Sequence, residues 1–257
     1  MTIDEYTVIP LFLEMSIEGA ASPLGVGTGF CVKAEEQYYL ITNWHNVTGR
    51  NPESNDPLSS NGLCDPDKMK IWFYTNKIGT WAPKTITLKN EDGTPRWIEH
   101  QNGRQIDVVA IPFQKTDDIF IRELDLNTAN LEIVLYPSKS VSIIGYPNGL
   151  TSGGKFSIWK TGHIASDVDL NYNGKPVFLI DATTRSGMSG SPVVLRSTGM
   201  TQFKDGNRIG THTKFLGVYS GRIDGTSEIG RVWKPNVVNE ILLNAANSNL
   251  LPGVELN

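Results

Sequence analysis

Short apolar runs, separated at regular intervals by turn-forming residues, are the feature that most constrains the fold of this sequence. The segments between the runs are rich in glycine, proline, asparagine, aspartate and serine. This pattern is typical of β-strands joined by tight turns, and 25 glycines with 14 prolines in 257 residues make a helical bundle a poor fit. The runs predict strands at Leu11–Met15, Gly27–Val32, Tyr38–Thr42, Lys70–Tyr74, Thr85–Leu88, Val108–Phe113, Val141–Tyr146, Ser157–His163, Val177–Asp181, Pro192–Leu195, Phe215–Ser220 and Ile229–Trp233.

This number of strands is sufficient for two six-stranded antiparallel β-barrels. Val108–Ile111 and Val141–Ile144 are rich in β-branched residues, as expected of strands inside a closed barrel. One helix is predicted near the C-terminal end, at about 235–246, where Pro235 suits the first turn. Its apolar face consists of Val237, Val238, Ile241 and Leu242. Because Lys115–Leu135 is polar and weakly patterned, we expect an all-β protein with one barrel in residues 1–120 and a second in 121–257.

Charge and composition argue against several classes of protein. The formal net charge is −4 and the basic residues are scattered, which does not suit a general nucleic-acid binder. No stretch of 18 uninterrupted apolar residues is present, so no membrane-spanning helix is predicted. Asp4 and Glu5 lie where a secretory leader would carry positive charge. We therefore expect a cytoplasmic protein that binds neither nucleic acid nor membrane.

The two cysteines, Cys31 and Cys64, are too few for a disulfide scaffold and are expected to be free thiols. The sequon at Asn46–Thr48 is interpreted as coincidental, because a glycan there would lie beside the histidine discussed below. The remaining histidines lack the spacing of metal ligands, so we predict no metal and no other cofactor. They are His100, His163 and His212.

The most informative motif is the segment Gly187–Pro192, in which Ser189 lies between glycines. A serine becomes a nucleophile when a tight turn presents its hydroxyl and leaves backbone amides free to bind the charge that develops on a substrate carbonyl. Gly187 and Gly190 allow such a turn, and the amides of Gly187 and Ser189 are the candidate oxyanion-hole donors. Alone the motif is weak, because glycine and serine occur in many hairpins.

Two further motifs supply candidate partners for this serine. The segment Leu40–Val47 is a predicted strand that ends at His45, where a general base would be held rigidly at a cleft. Asp107 opens an apolar strand, either as a simple strand cap or as the acceptor that orients a histidine ring. The coincidence of all three motifs, in the order His45, Asp107, Ser189, is far less probable than any one of them.

In these three motifs the sequence resembles the chymotrypsin/trypsin-like serine proteases, which carry them in the same order on two packed β-barrels with a C-terminal helix. It looks closest to leaderless bacterial trypsin-like peptidases, as judged by Ile144–Pro147, Ile158–Gly162 and Leu216–Arg222. The resemblance implies that His45 is the general base, Asp107 its orienting acid and Ser189 the nucleophile.

The same resemblance implies a substrate-binding surface. Ser220 and Gly221 would lie on the strand that pairs with the substrate backbone, and Thr183 and Thr184 would line the primary specificity pocket. Trypsin-type enzymes that select Lys or Arg carry an aspartate where this chain has Thr183, so strong selection for basic side chains is not expected.

Other positions depart from the family pattern. Glutamyl endopeptidases share a threonine at the position of Thr184, but they have a histidine where this chain has Tyr219, which leaves Arg222 as a candidate cation. Digestive members carry an acid immediately before the nucleophile that pairs with a new N-terminus, whereas this chain has Met188. The resemblance therefore implies a site that is organised by other means, such as a protein partner or the N-terminal segment.

The sequence thus predicts a bacterial, cytoplasmic serine endopeptidase that acts on protein or peptide substrates through an acyl-enzyme. Two alternatives stay open. One is a latent protease effector of bacterial defence or stress that needs an activating protein partner, and the other is a pseudoprotease that binds peptides.

Overall fold

Antiparallel pairing organises nearly the whole chain in the computed structural model, which describes residues 3–60, 62–247 and 253–257. The strands are β1 (Pro10–Ser16), β2 (Gly25–Ala34), β3 (Gln37–Thr42), β4 (Lys68–Tyr74), β5 (Trp81–Thr87), β6 (Ile98–Glu99), β7 (Val109–Phe113), β8 (Ser140–Gly145), β9 (Ile158–Ile164), β10 (Val177–Asp181), β11 (Pro192–Phe203), β12 (Gly206–Arg222) and β13 (Ile229–Trp233). The α-helices are α1 (Trp44–Thr48) and α2 (Pro235–Asn247). Short 3-10 helices occupy Glu5–Val8, Gly103–Gln105, Leu126–Asn130, Pro147–Gly149 and Tyr172–Gly174.

The strands form two antiparallel units, which confirms the predicted fold class. The second half of the chain is a closed six-stranded barrel in the order β10-β13-β12-β11-β8-β9. The first half is a seven-stranded sheet in the order β5-β4-β1-β2-β3-β7-β6. The seventh strand is β6, which has two residues and pairs with β7. It was not predicted because two residues are too short to show a pattern.

The largest difference from the predicted strands is the hairpin of β11 and β12. Its strands pair from Pro192 to Phe203 and extend well beyond the predicted Pro192–Leu195 and Phe215–Ser220. The extension is polar or exposed at most positions, and Met200 and Ile209 on it are 72% and 88% exposed. Hydrophobic patterning cannot detect a ribbon whose side chains mostly face solvent.

Apolar side chains form one cluster in each half and a third between the halves. The central cluster contains Phe30 and Ile41 from the first sheet and Val194 and Phe215 from the barrel. The predicted apolar face of α2 is buried in the same cluster through Val237, Val238, Ile241 and Leu242. The two halves are therefore held together by a shared core, and the cleft between them has fixed walls.

Both ends of the described chain cross between the halves. The Thr7 carbonyl accepts from the Ser157 hydroxyl at 2.8 Å, which fixes the N-terminal segment against the barrel. Residues 253–257, which the predicted division assigns to the second half, pair with the first sheet through Thr85 and Asn257 (N to O, 2.7 Å). Both cysteines are free thiols, as expected, and Cys31 is buried in the core of the first half. In the part of the chain that the structure describes, neither helix is long and apolar enough to cross a membrane.

Candidate active site

A histidine and an aspartate that lie beside the ends of two adjacent strands of the first sheet form a buried pair at the cleft. Strand β3 ends at Thr42 and leads into α1, which carries His45, while Asp107 precedes β7, the partner of β3. One carboxylate oxygen of Asp107 accepts from the His45 backbone amide at 3.0 Å, and the other lies 2.7 Å from the His45 ring Nδ1. Since an aspartate acceptor holds the ring proton on Nδ1, the other ring nitrogen is free to accept a proton.

This pair is shielded from water on its acid side. The side chain of Asp107 is 3% exposed and that of His45 is 13% exposed. Asn43 donates to the Asp107 carbonyl at 2.6 Å, which fixes the backbone at the acid. A buried carboxylate with two donors keeps the ring in one orientation, as a rigid general base requires.

The candidate nucleophile Ser189 lies on a turn that only glycines can build. Gly187 and Gly190 have φ angles of 88° and 87°, in the left-handed region. A Cβ at Gly187 would lie 2.3 Å from the Tyr146 carbonyl oxygen, and one at Gly190 would lie 1.9 Å from the Thr28 carbonyl oxygen. Both positions therefore need glycine for conformation as well as for space.

Some backbone amides of the Ser189 turn donate hydrogen bonds within the chain, and others do not. The amides of Met188, Gly190 and Ser191 donate to backbone carbonyls at 2.9 to 3.2 Å. Within residues 3–60, 62–247 and 253–257, the amides of Gly187 and Ser189 donate to no acceptor. Two free amides on one turn can bind a developing oxyanion, which is the role predicted for them.

The nucleophile turn belongs to the barrel but is held by the first sheet. The Ser189 carbonyl accepts from the Thr28 amide at 2.9 Å and from the Asn46 side-chain amide at 3.1 Å. The Thr28 hydroxyl donates to the Gly187 carbonyl at 2.7 Å. These contacts position the serine relative to His45, because Asn46 is the next residue on the same helical turn.

Sequence reasoning missed the roles of Thr28 and Asn46. A sequence signal was present in the glycines on either side of Thr28: a Cβ at Gly27 would lie 2.7 Å from the Asn46 side-chain nitrogen, and one at Gly29 would lie 2.8 Å from the Leu40 side chain. Asn46 is 5% exposed and bonded, so its place in a sequon has no bearing on glycosylation of the folded chain.

His45 and Ser189 line one cavity of about 270 Å³ at the cleft. Among the described residues, no hydrogen bond joins the Ser189 hydroxyl to the His45 ring. Of the three predicted catalytic residues, His45 and Asp107 are thus in direct contact, and Ser189 lies in the cavity that His45 lines. In substrate-free enzymes in general, hydrogen bonds between catalytic groups are often long and tighten when substrate binds.

The predicted specificity-pocket residues have different environments. Thr183 is exposed, whereas Thr184 is 1% exposed and hydrogen-bonded through its hydroxyl to the Tyr219 phenol. Burial raises the pKa of Tyr219, so its phenol stays protonated at neutral pH. The Ser220 hydroxyl accepts from the Trp233 indole at 3.1 Å. Two of the residues predicted to bind substrate are therefore hydrogen-bonded within the chain, Thr184 to Tyr219 and Ser220 to Trp233.

The other predicted substrate-binding positions lie at the edge of this region. Gly221 has a φ angle of 102°, and no atom outside its chain neighbours would meet a Cβ there within 4 Å. Arg222 lies 3.7 Å from the Glu228 carboxylate, which also lies 3.4 Å from Arg185. The cation proposed from sequence is thus paired with an acid of its own chain.

Met188 is completely buried and packs in the barrel core with Val193, Leu216 and Tyr219. An apolar side chain occupies the place where the digestive relatives keep a carboxylate. The turn is therefore stabilised at this point by packing, without a buried ion pair.

A closed barrel packed on a second antiparallel sheet, with a His–Asp pair and a glycine-flanked serine at their cleft, defines the class of trypsin-like serine proteases. Residues 27–200 match the model of the trypsin-like peptidase domain, and the chain belongs to that family.

Solved structures show the same fold. A serine endoprotease from Yersinia pestis aligns with 97% of this chain and 69% of its own at a TM-score of 0.55 and 11% identity. The Rv3671c protease of M. tuberculosis, in its active form, aligns with 97% of this chain and 84% of its own at a TM-score of 0.50 and 15% identity. The inactive form of its serine-to-alanine mutant covers 96% and 91% at 0.50 and 14%. No curated protein sequence matches this chain.

Proposed function

We propose that this protein is a serine endopeptidase that uses Ser189, His45 and Asp107. The observation that carries the proposal is the buried contact of 2.7 Å between Asp107 and the His45 ring, with Ser189 in the cavity that the same ring lines. This arrangement supports a base with a fixed tautomer that shares a cavity with a serine on a tight turn, and acyl transfer needs both the base and the serine.

In the proposed mechanism the Ser189 hydroxyl attacks the substrate carbonyl while His45 takes its proton. The carbonyl oxygen becomes an oxyanion and accepts hydrogen bonds from the amides of Gly187 and Ser189. His45 then gives the proton to the leaving amine, which departs and leaves an ester on Ser189. Water repeats the cycle with His45 as base, releasing the acid and restoring the hydroxyl.

Proteins and peptides are the proposed substrates, and the cytoplasm of a bacterium is the proposed setting. The free donors of the turn favour an enzyme over a pseudoprotease, since a peptide-binding module has no need of an unoccupied oxyanion site.

A latent enzyme that is switched on by a partner protein is the second candidate. The observation that favours it is the buried Met188, which offers no carboxylate to a new N-terminus, so that a switch acting on the nucleophile turn would have to come from another protein.

Labelling with a fluorophosphonate tests both candidates, because the reagent reacts only with an activated serine. We expect wild-type protein to be labelled at Ser189 and Ser189→Ala not to be labelled. Labelling that appears only after addition of bacterial lysate fractions would favour the latent form. A wild-type protein that stays unlabelled under both conditions contradicts the proposed function.

A further inference from the structure

The cavity beside His45 has an apolar wall that the proposed chemistry does not itself require. Besides His45 and Ser189, its lining includes the apolar residues Met15, Leu24, Val26, Leu58, Leu63 and Pro66, together with the polar residues Asn46, Ser59 and Ser186. Among the residues that the structure describes, no aspartate, glutamate, lysine or arginine lines it. A charged side chain entering this space would lose water without gaining a partner, whereas an apolar one gains by leaving water.

The cavity is large enough for a bulky side chain. Its volume is about 270 Å³, and a closed apolar cavity of about 150 Å³ is already sufficient to bind benzene. It therefore has room for a leucine or phenylalanine side chain.

Its position places it on the leaving-group side of the scissile bond. A second cavity is lined by Asp107 and by Ser220, which lies on the strand expected to pair with the acyl part of the substrate. His45 must hand its proton to the departing amine, so the leaving chain has to pass the face of the ring that is turned away from Asp107. Because His45 lines the cavity that carries Leu58 and Leu63, we place this cavity on the leaving-group side.

The loop that carries Leu58 and Leu63 is tied down at both ends. The Leu58 amide donates to the Gly49 carbonyl at 2.8 Å, and the Asp65 amide donates to the Thr48 carbonyl at 2.7 Å. The Arg50 guanidinium donates to the Asp65 carboxylate at 3.1 and 3.2 Å. The two ends of the loop are thus fixed, which limits the ordering that is needed when a side chain enters.

On the acyl side, the space next to the nucleophile is filled by Tyr219. Its amide and carbonyl are bonded to Ser191 and Gly190, so it lies directly beside the Ser189 turn. Its ring is 1% exposed, its hydroxyl bonds to Thr184, and a Cβ at Gly230 would lie 2.5 Å from the ring. The Tyr219 side chain therefore lies buried between Thr184 and Gly230, beside the nucleophile turn, and occupies space that a large substrate residue would need.

From these two observations we infer that the enzyme recognises its substrates mainly by a bulky apolar side chain on the leaving-group side of the scissile bond, and accepts small residues on the acyl side. The inference rests on the proposed serine endopeptidase function. Tyr219, Leu58 and Leu63 are its specificity-determining residues.

Partitioning of the acyl-enzyme tests the leaving-group side. An N-acylated alanine thioester loads Ser189, and leucine amide, phenylalanine amide, glycine amide or aspartate amide then competes with water for the acyl group. We expect leucine and phenylalanine amides to capture it about ten-fold more efficiently than glycine amide, and aspartate amide to be the poorest acceptor. Equal capture of all four overturns the inference while leaving the proposed function intact.

Matched variants show whether this wall is responsible. Leu58→Asn and Leu63→Asn should each lower capture by leucine amide relative to glycine amide by several-fold. Leu170→Asn is the control, because Leu170 is 67% exposed and lies outside the cavity lining. If no acyl-enzyme forms and fluorophosphonate does not label Ser189, the proposed function fails, and the inference with it.

Peptides that differ only in the residue before the scissile bond test the acyl side. Wild-type protein should cleave after alanine, glycine or serine at least ten-fold faster than after phenylalanine or lysine. Tyr219→Ala should raise kcat/KM for phenylalanine relative to alanine, mainly through KM, whereas Tyr219→Phe should keep the preference of the wild type. Efficient cleavage after phenylalanine or lysine by wild-type protein overturns the inference, whether or not Tyr219→Ala folds.

Discussion

The side-chain amide of Asn46 donates to the backbone carbonyl of Ser189 at 3.1 Å, across the boundary between the two halves of the molecule. Asn46 directly follows His45 on α1. The helix that carries the candidate base therefore also binds the turn that carries the candidate nucleophile. The relative position of base and nucleophile therefore depends on a hydrogen bond between segments 143 residues apart.

Removing this bond should lower both activity and stability. We expect Asn46→Ala to lower kcat by roughly 10- to 100-fold with little change in KM, because a displacement of about 1 Å at a reacting centre can have that effect. The loss of buried hydrogen bonds should cost about 1–3 kcal/mol of folding free energy. Kinetics are measured well below the melting temperature, where the variant is fully folded.

Besides the Ser189 carbonyl, the Asn46 side chain donates to the Thr42 hydroxyl at 2.9 Å. Asn90→Ala is the matched control, because the Asn90 side chain donates to the Thr94 hydroxyl at the same distance in an exposed turn that does not line the cavity. It should leave kcat unchanged. If the fluorophosphonate labelling rate of folded Asn46→Ala equals that of wild type, Asn46 has a structural role and no positioning role.

The nucleophile itself gives the next prediction. Ser189→Ala should lower peptide hydrolysis by at least about 10⁴-fold, because the acyl-enzyme can no longer form. The melting temperature should barely move, since the removed hydroxyl has no hydrogen-bond partner among the described residues. Both are measured on the same preparation, by peptide cleavage and by thermal unfolding.

His45→Ala should cause a loss of similar size, and the double variant should be little worse than either single variant, because the two residues act as a unit. Losses that multiply would show that His45 acts in some other way than as the base for Ser189.

The sequence predicts those features of the fold and site that depend on neighbouring residues, and it misses those that depend on contacts between distant segments. The two-part β-fold, α2 and the three catalytic candidates follow from runs of neighbouring residues, where apolar periodicity and glycine-flanked motifs are visible. The contact of Thr28 with Gly187 spans 159 positions, and the filling of the pocket by Tyr219 depends on Thr184 and Gly230. The only sequence signal of such contacts between distant segments is an isolated glycine. That glycine does not indicate which distant residue it packs against.

The buried Met188 makes a prediction about activation. No carboxylate is present there to receive an N-terminal ammonium, and an unpaired buried cation would cost several kcal/mol. Cleavage in the exposed segment 18–23, ahead of Gly27, should therefore leave activity unchanged, with or without a candidate partner. A gain of about 100-fold on cleavage that is lost when the new amine is acetylated would contradict this.

A carboxylate introduced at position 188 tests whether the turn before Ser189 depends on apolar packing. Met188→Asp places a carboxylate in the barrel core without a counter-charge and should lower the free energy of unfolding by about 3 kcal/mol or more. Met200→Asp is the control, since Met200 is 72% exposed and should tolerate the charge. Denaturant unfolding of the two variants and the wild type measures the difference.

The Arg50–Asp65 ion pair, at the base of the loop that carries Leu58 and Leu63, should make the stability of that loop depend on pH in the acid range. Hydrogen bonds from the Arg50 guanidinium hold the pKa of the Asp65 carboxyl below its ordinary value. A carboxyl whose pKa is lowered in the folded state stabilises it at pH above the unfolded pKa of about 3.9, and this stabilisation is lost as pH falls through the folded value. Protection of the Leu58 amide against hydrogen exchange, corrected for intrinsic rates, should therefore be constant from pH 7 to about pH 4.5 and fall below about pH 4.

Asp65→Asn should lower this protection at neutral pH and remove its dependence on acid, because an amide side chain cannot titrate and binds a guanidinium less strongly. The control is Asp92→Asn, since the pKa of Asp92 is also lowered, by bonds to Thr94 within its own exposed turn, which does not line the cavity. It should leave protection of the Leu58 amide unchanged. If Asp65→Asn protects Leu58 as well as wild type does at pH 7, the Arg50–Asp65 pair does not hold the loop, and the apolar wall beside His45 depends on backbone bonds alone.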